Sequence, residues 1–422
     1  MKNQAPLGEI ILITKLETQN QGNQALSIAW RDRLESLFPR HVIRPIERSP
    51  NYLKRFTVGY FTSKADPVVA FEKIVGDLCR RARKIQVEAP PIRRDIRHNS
   101  KISQAIRAVR LRRLLNVRSR LSALGLGRRN YLNRLALFRQ SKMLVMNPAG
   151  EFYPAAADTA LAYLIELRCA QVLGIPTAMV NLSFEVMDKT LRLLSAHVLD
   201  QCSVLQFRDT ESLEEYRSAG GRQSPVVLPD GALMTRPPAA AEESDHGGIA
   251  LAINALQVRA AGLQLPWAEF IDQLVAQDLK PVLTSNEWTT DEPFWGQFTA
   301  DGRIKAVGRE ADYQEYMQLL RNFDVVISSR LHTCVLSIVA GVPVVPVETG
   351  TFKLTGFFRQ AGLPLPIRLG SRGWQQAIVE SVRAIQADRS KAVDVQNRQR
   401  DIALDRLNRG IEAMFGQVLV KR

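Results

Sequence analysis

The stretch that most constrains this chain runs from Phe323 to Lys353, FDVVISSRLHTCVLSIVAGVPVVPVETGTFK. Phe323 to Ile327 is a short apolar, β-branched run that stops at Ser328 and Ser329, the pattern of a strand buried on both faces. Thr333 to Ala340 reads as a packed helix, Gly341 closes it, and Pro343 to Val347 supplies a second buried strand. Strand, loop, helix and strand in that order make a parallel β-α-β unit. Its loop lies at the carboxyl edge of the sheet, where open α/β sheets bind ligands and where a helix N-terminus favours anions. Arg330 and His332 fall in that loop. A guanidinium matches the geometry of carboxylate or phosphate, and an imidazole moves a proton near neutral pH. Of the five histidines, His332 alone falls at such a strand end beside an arginine, with Lys353 beyond the next strand. The pair predicts chemistry on an anionic ligand.

At 422 residues the chain is longer than one hydrophobic core usually supports, so two domains are expected. In the first half, Glu9–Thr14 reads as a strand and Asn23–Leu37 as an amphipathic helix, with Gln19–Gly22 between them. Gly22 allows close backbone approach there, and Asn20 or Asn23 either caps the helix or binds a hydroxyl. Further strands are expected at 143–146, 175–180, 204–207 and 226–228. The loop after the first of these holds one carboxylate, Glu151, and the next strand ends in Asn181. The third delivers Arg208 and Asp209, which repeats the position of Arg330, although an Arg-Asp pair can simply fix a loop. Residues 235–248 turn to Pro, Ala, Glu, Gly and Ser, a linker signal. Strand and helix signals then alternate again from Ile249 to the opening block, and 374–407 reads as terminal helices. The expected fold class is therefore α/β, with two Rossmann-like domains facing a cleft: residues 1–234, a linker at 235–248, and 249–422. Neither half has a GxGxxG after its first strand and there is no Walker loop, so dinucleotide and P-loop chemistry find no support.

The four cysteines are far apart and suggest neither a disulfide framework nor a zinc site. The apolar run Ile10–Ile13 is too short for a signal segment or a membrane span, so a cytoplasmic location is expected. Charge is concentrated. Residues 80–142 hold 16 Arg and 3 Lys against Glu88 and Asp95, so this segment alone exceeds the whole-chain net charge of +15. Within it Ile106, Val109, Leu114, Val117, Leu121 and Leu124 recur at near-helical spacing with arginines interleaved. Such a helix suits an anionic membrane surface, or it packs on its domain as a solvated excursion; an aromatic platform for nucleic acid is missing.

Four segments in order, NQGNQAL, QFRDTESLEEYRSAG, LPDGAL and the SSRLH block with its GVPVVPVE strand and the lysine of GTFKLTGF, resemble the polysaccharide pyruvyl transferase family. They touch both halves of the chain and leave residues 48–141 unaccounted for. Two departures fall on the acceptor side: MNPAGEFYP stands where the family often has a glycine cluster, and Asn23 where Asp is common. The resemblance implies an architecture like that of the B-type glycosyltransferases. It also implies transfer of the enolpyruvyl carbons of phosphoenolpyruvate to two hydroxyls of one sugar, giving a pyruvate ketal and phosphate. The first domain would then be the acceptor side and the second would carry the donor site. His332 and Arg330 become the catalytic candidates; Arg208, Arg330, Leu331, His332 and Lys353 the donor-binding set; Asn20, Asn23, Glu151 and Asn181 the acceptor-binding set. No metal or cofactor is called for, phosphoenolpyruvate being a co-substrate. The acceptor would be a sugar of an exopolysaccharide, free or linked to polyprenyl diphosphate, and the enzyme would reside peripherally on the inner membrane face. A B-type glycosyltransferase using a nucleotide sugar and a non-catalytic polysaccharide-assembly protein stay open as alternatives.

If residues 80–142 bind membrane, the protein sediments with anionic vesicles at low salt and dissociates as salt rises, each near-surface cation contributing about 1 kcal/mol. Replacing Arg107, Arg110, Arg113, Arg118 and Arg120 by Gln should abolish that sedimentation. Equal behaviour with neutral and anionic vesicles would reduce the segment to a solvated excursion.

Overall fold

The computed structural model describes residues 6–48, 52–86, 97–98, 126–186, 188–238, 247–309 and 311–419. The chain divides into two compact units, one of Met1–Glu17, Trp30–Leu228 and Arg409–Arg422, the other of Thr18–Ala29 and Pro229–Asn408. Each is built on a six-stranded parallel sheet with helices packed on it.

In the first unit the strands are β1 (Glu9–Thr14), β2 (Val42–Glu47), β3 (Ser141–Met146), β4 (Thr177–Leu182), β5 (Val204–Phe207) and β6 (Val226–Val227). They lie in the order β2-β1-β3-β4-β5-β6. The order reverses between β1 and β3, which pair directly. Helix Ala157–Val172 is apolar nearly all round and buries ten of its residues, so it packs inside the unit and not along its surface. Ile11, Ile13, Leu144, Met146, Met179 and Leu205 face the same core. Strand β2 escapes a sequence reading because Arg44 and Pro45 interrupt its apolar run. Proline is tolerated there because β2 is an edge strand, and Arg44 is buried against Glu9 through two bonds of 2.7 and 2.6 Å.

The second unit carries β7 (Ile249–Ala252), β8 (Pro281–Leu283), β9 (Lys305–Ala306), β10 (Val325–Ser328), β11 (Val344–Glu348) and β12 (Ile367–Arg368). Their order is β9-β8-β7-β10-β11-β12, the doubly wound arrangement. It reverses between β7 and β10, and the carboxyl ends of those two neighbours mark the crevice where such sheets take ligands. The opening block of the sequence folds as expected: β10, helix Leu331–Ala340, then β11. Gly341 adopts a left-handed φ of 79° and returns its N–H to Ile338 and Ser337, ending the helix so that β11 can start at Val344. Trp267, Phe270, Trp295 and Trp374 fill the core between this sheet and its helices.

Two expectations are corrected. His332 lies on the first turn of helix Leu331–Ala340 and not in the loop, because Arg330 already serves as the N-cap residue in extended conformation. The units also do not divide at 235–248. Residues 229–238 cluster with the second unit because the turn Gly231–Met234 packs on helix Leu331–Ala340, and residues 18–29 join it as well. The end of helix Arg389–Leu419 belongs to the first unit, where Phe415 meets Phe38 and Gly410 lies against Leu228. Much of the expected linker, 239–246, lies outside the described residues, as do 87–96 and 99–125 of the basic segment, including Arg107, Arg110, Arg112, Arg113, Arg118 and Arg120. At its two ends, helices Pro67–Ala82 and Leu126–Gln140 are joined by Arg139, which donates to the Ala82 and Arg83 carbonyls at 3.2 and 3.1 Å. Among the described residues no helix is long and apolar enough to cross a membrane, and no group of His, Cys, Asp and Glu is placed to hold a metal ion.

Candidate functional site

Ser328 and Ser329 turn the chain out of β10. The Ser328 hydroxyl donates to the Ala252 carbonyl at 2.9 Å and accepts the Arg330 N–H at 3.0 Å, while Ser329 Oγ accepts the Asn254 N–H at 2.7 Å. The ends of β7 and β10 are thereby tied together at the reversal point of the sheet. Arg330 leaves this turn buried and reaches helix Trp288–Ala300. Its Nε and Nη2 each donate to the Asp291 carboxylate at 2.6 Å, Nη2 also donates to Thr290 Oγ1 at 2.8 Å, and Nη1 reaches Glu287 Oε2 at 3.1 Å. Burial opposes the guanidinium charge, but Asp291 and then Glu287 more than offset it and push its pKa up. Asp291 is itself saturated, accepting the Ser285 hydroxyl at 2.6 Å and the Ala255 N–H at 3.2 Å. The two-pronged face expected to meet a ligand is thus filled by Asp291. Only the Nη1 edge, with the part-exposed Glu287 on it, faces away from that buried pair.

Two residues on, His332 is enclosed by segments from distant parts of the sequence. Its Nε2 lies 3.9 Å from Asp230 Oδ2, an ion-pair separation longer than a hydrogen bond. On another side the backbone of Gly22 is so close that a Cβ there would fall 2.1 Å from His332 Cβ and 2.5 Å from Nδ1. Gly22 is therefore required by contact, its φ lying outside the left-handed region. Asn20 Oδ1 accepts the Asn23 N–H and the Asn286 side-chain N–H, both at 3.0 Å, so within the second unit Asn20 caps the helix and ties it to Asn286. Asn286 in turn accepts from Thr333 Oγ1 at 3.2 Å, and the Tyr316 hydroxyl, its pKa pushed up to about 12 by burial, meets Thr333 at 3.3 Å. Cys334, next along the helix, is a packed thiol, likewise pushed up to about 12 by burial. Lys353 opens helix Lys353–Ala361 after β11. Glu348 fixes that helix start by accepting the Leu354 and Thr355 N–H groups at 2.9 and 3.1 Å.

The remaining candidates sit at the carboxyl edge of the first unit's sheet. Arg208 is buried, donates from Nε to Ser183 Oγ at 2.6 Å and lies against Gly150, whose φ of 85° and missing Cβ admit the guanidinium. Asp209 caps helix Thr210–Ser218 through Ser212 at 2.7 Å and accepts the same Ser183 hydroxyl at 3.1 Å. Burial raises its pKa. Glu151 pairs with Arg48, and Asn181 is held at a left-handed φ of 56° with its N–H on Gln206. Non-glycine residues in that region carry strain, which concentrates at functional edges. The structure thus gathers Asn20, Asn23, Arg330, Leu331, His332 and Lys353 in one unit and Glu151, Asn181 and Arg208 in the other. Sequence reasoning missed Asp230 as the carboxylate facing His332, although LPDGAL contains it. It also missed Asp291 and Glu287, whose surroundings carry no recognisable motif.

A sequence profile for polysaccharide pyruvyl transferase matches residues 20–351, which takes in every one of these candidates except Lys353, two residues beyond its end. The chain belongs to the polysaccharide pyruvyl transferase family. No curated protein matches it in sequence. Among solved structures, Anabaena Alr3699/HepE in complex with UDP is similar with a TM-score of 0.52 at 14% identity, over 99% of this chain and 100% of that one. UDP-GlcNAc 2-epimerase from Neisseria meningitidis, bound to UDP-GlcNAc, gives 0.50 at 11% identity over 98% and 100%. At such identities the likeness concerns the fold, two Rossmann-like domains of the B-type glycosyltransferase class.

Two stability measurements check the construction of this site. Asp291→Ala leaves Arg330 buried and uncompensated and should cost about 3–5 kcal/mol in chemical denaturation, whereas Glu287→Gln at the part-exposed edge should stay within about 1 kcal/mol of the parent. Gly22→Ala should cost about 1–3 kcal/mol by overpacking against His332. A neutral Gly22→Ala would mean that the two segments are not in contact.

Proposed function

We propose that this member of the family transfers the pyruvyl group of phosphoenolpyruvate to two hydroxyls of a sugar in a polysaccharide or lipid-linked oligosaccharide, with release of phosphate. The observation that carries the reading is the place of His332: first turn of a helix, carboxyl edge of the sheet at its reversal point, opposite Asp230. In the reaction the methylene carbon of the donor takes up a proton while the first sugar oxygen bonds to the central carbon. The second sugar oxygen then displaces phosphate from that carbon. Of the two hydroxyl protons, one ends on the new methyl group and the other on phosphate, so no redox partner is needed. A positioned imidazole serves either proton movement.

The donor carries a carboxylate and a phosphate, which call for cations and helix-terminal N–H groups. Lys353 and the N-terminus of helix Leu331–Ala340 are the candidates for that task in the second unit. Arg330 would contribute through its Nη1 edge, its other face being held by Asp291. Arg208 at the first unit's edge remains a candidate for the same anion, with Glu151 and Asn181 for the acceptor. The purified protein should release phosphate from phosphoenolpyruvate only when a glycan acceptor is added. Release of nucleotide from a nucleotide sugar instead would point to a glycosyltransferase, and neither product to a non-catalytic assembly protein. His332→Ala should fold normally and lose roughly 10²–10⁴-fold in turnover; near-normal turnover would remove His332 from the chemistry.

A further inference from the structure

We propose that Asp230 is the positioning residue for His332: its buried carboxylate holds the imidazole in the orientation and protonation state that proton transfer requires. This rests on the reading of His332 given above. Asp230 is fully buried in the second unit, directly before the turn Gly231–Met234, where its Oδ1 accepts the Ala232 N–H at 2.8 Å. That cap fixes one oxygen. The other oxygen then has its place dictated, and it lies 3.9 Å from His332 Nε2. A serine or an asparagine would cap the turn as well, without the cost of a buried charge. The carboxylate is explained by what it faces.

The rest of the surroundings leaves the ring little freedom. Gly22 closes the Nδ1 side, and the following residue, Thr333, is pinned by Asn286 and Tyr316. Ionisable groups on elements packed against this helix include Arg330, held by Asp291 and Glu287; Glu348, at the start of helix Lys353–Ala361; Tyr316, against Thr333; and Glu315, which accepts the Asp312 N–H at 2.8 Å. Lys353 and Arg359 are the cations of the neighbouring helix Lys353–Ala361. An anion facing one nitrogen of an imidazole favours its protonated form and selects its orientation, which is how carboxylates assist histidine in other enzymes. The order of events is then natural. Asp230 and Gly22 set the ring, and the ring handles the proton.

The experiment uses the full chain as wild type, Asp230→Asn and Asp230→Ser, both of which keep an oxygen for the Ala232 N–H and lose the charge. Two readouts are taken: the titration of the His332 imidazole by heteronuclear NMR, assigned with His332→Ala, and turnover with phosphoenolpyruvate and glycan. The expected result is a His332 midpoint displaced to lower pH in both variants, with kcat reduced about 10²-fold or more and KM for phosphoenolpyruvate little changed. An unchanged His332 titration, or full kcat in a folded Asp230→Asn protein, overturns the proposal. If the wild type itself releases no phosphate, the proposed reaction fails, while the NMR titration still decides whether Asp230 governs His332.

Discussion

The bidentate pair between Arg330 and Asp291 is the interaction on which the second unit's ligand edge depends. A guanidinium buried without a carboxylate would be prohibitively costly, and a carboxylate at that depth without a cation equally so. Together they form a rigid plate. Through Asp291 the plate also takes up the Ser285 hydroxyl and the Ala255 N–H, so the ends of β7, β8 and β10 and helix Trp288–Ala300 are cross-linked by one charge pair. The backbone that presents His332 starts from this plate. A side chain is only as well placed as the element that carries it, and the helix bearing the candidate His332 begins at a residue whose five guanidinium N–H donors are nearly all committed.

The two cationic positions that the sequence made equivalent turn out to be built on the same plan with different materials. Arg330 is fixed by carboxylates, Arg208 by a serine hydroxyl and by the bare backbone of Gly150. The first is therefore neutralised locally by acidic partners. The second shares Ser183 with Asp209, whose own carboxylate is taken up by a helix cap. Arg208 nevertheless acts on the Asp209 carboxylate, opposing the upward push of burial, so each arginine has an acid beside it. The charge balance around each arginine matters more than its presence.

Periodicity was a good guide wherever burial alone decides structure. Strand β5 and helix Trp267–Ala276 fall where the apolar pattern puts them, because fully buried parallel strands and one-sided helices leave few alternatives. It failed at β2, where a buried arginine and an edge proline disguise the strand, and at the start of helix Leu331–Ala340, where a cap residue with a charged side chain looks like loop. At the candidate site the motif residues themselves were legible: Arg330, His332 and Gly22 announce themselves by type and position. Their partners were not. Asp230 lies 102 positions from His332 and Asp291 lies 39 from Arg330, separations at which local pattern carries no information. Pairing between distant carboxylates and cations is a property of the folded chain.

The path of the chain between the two compact units has a consequence for how the protein can be divided. After β1 the chain leaves the first unit, contributes residues 18–29 to the second, and returns along a single helix, Gln21–Leu37. The second unit is therefore discontinuous in sequence. A gene fragment beginning at residue 229 would encode its sheet, its helices and His332 but not the glycine that closes over the imidazole or the asparagine that satisfies Asn286. The second unit cannot be inherited or swapped whole as one uninterrupted piece, which ties the evolution of the first strand's loop to a helix more than three hundred residues away in the sequence.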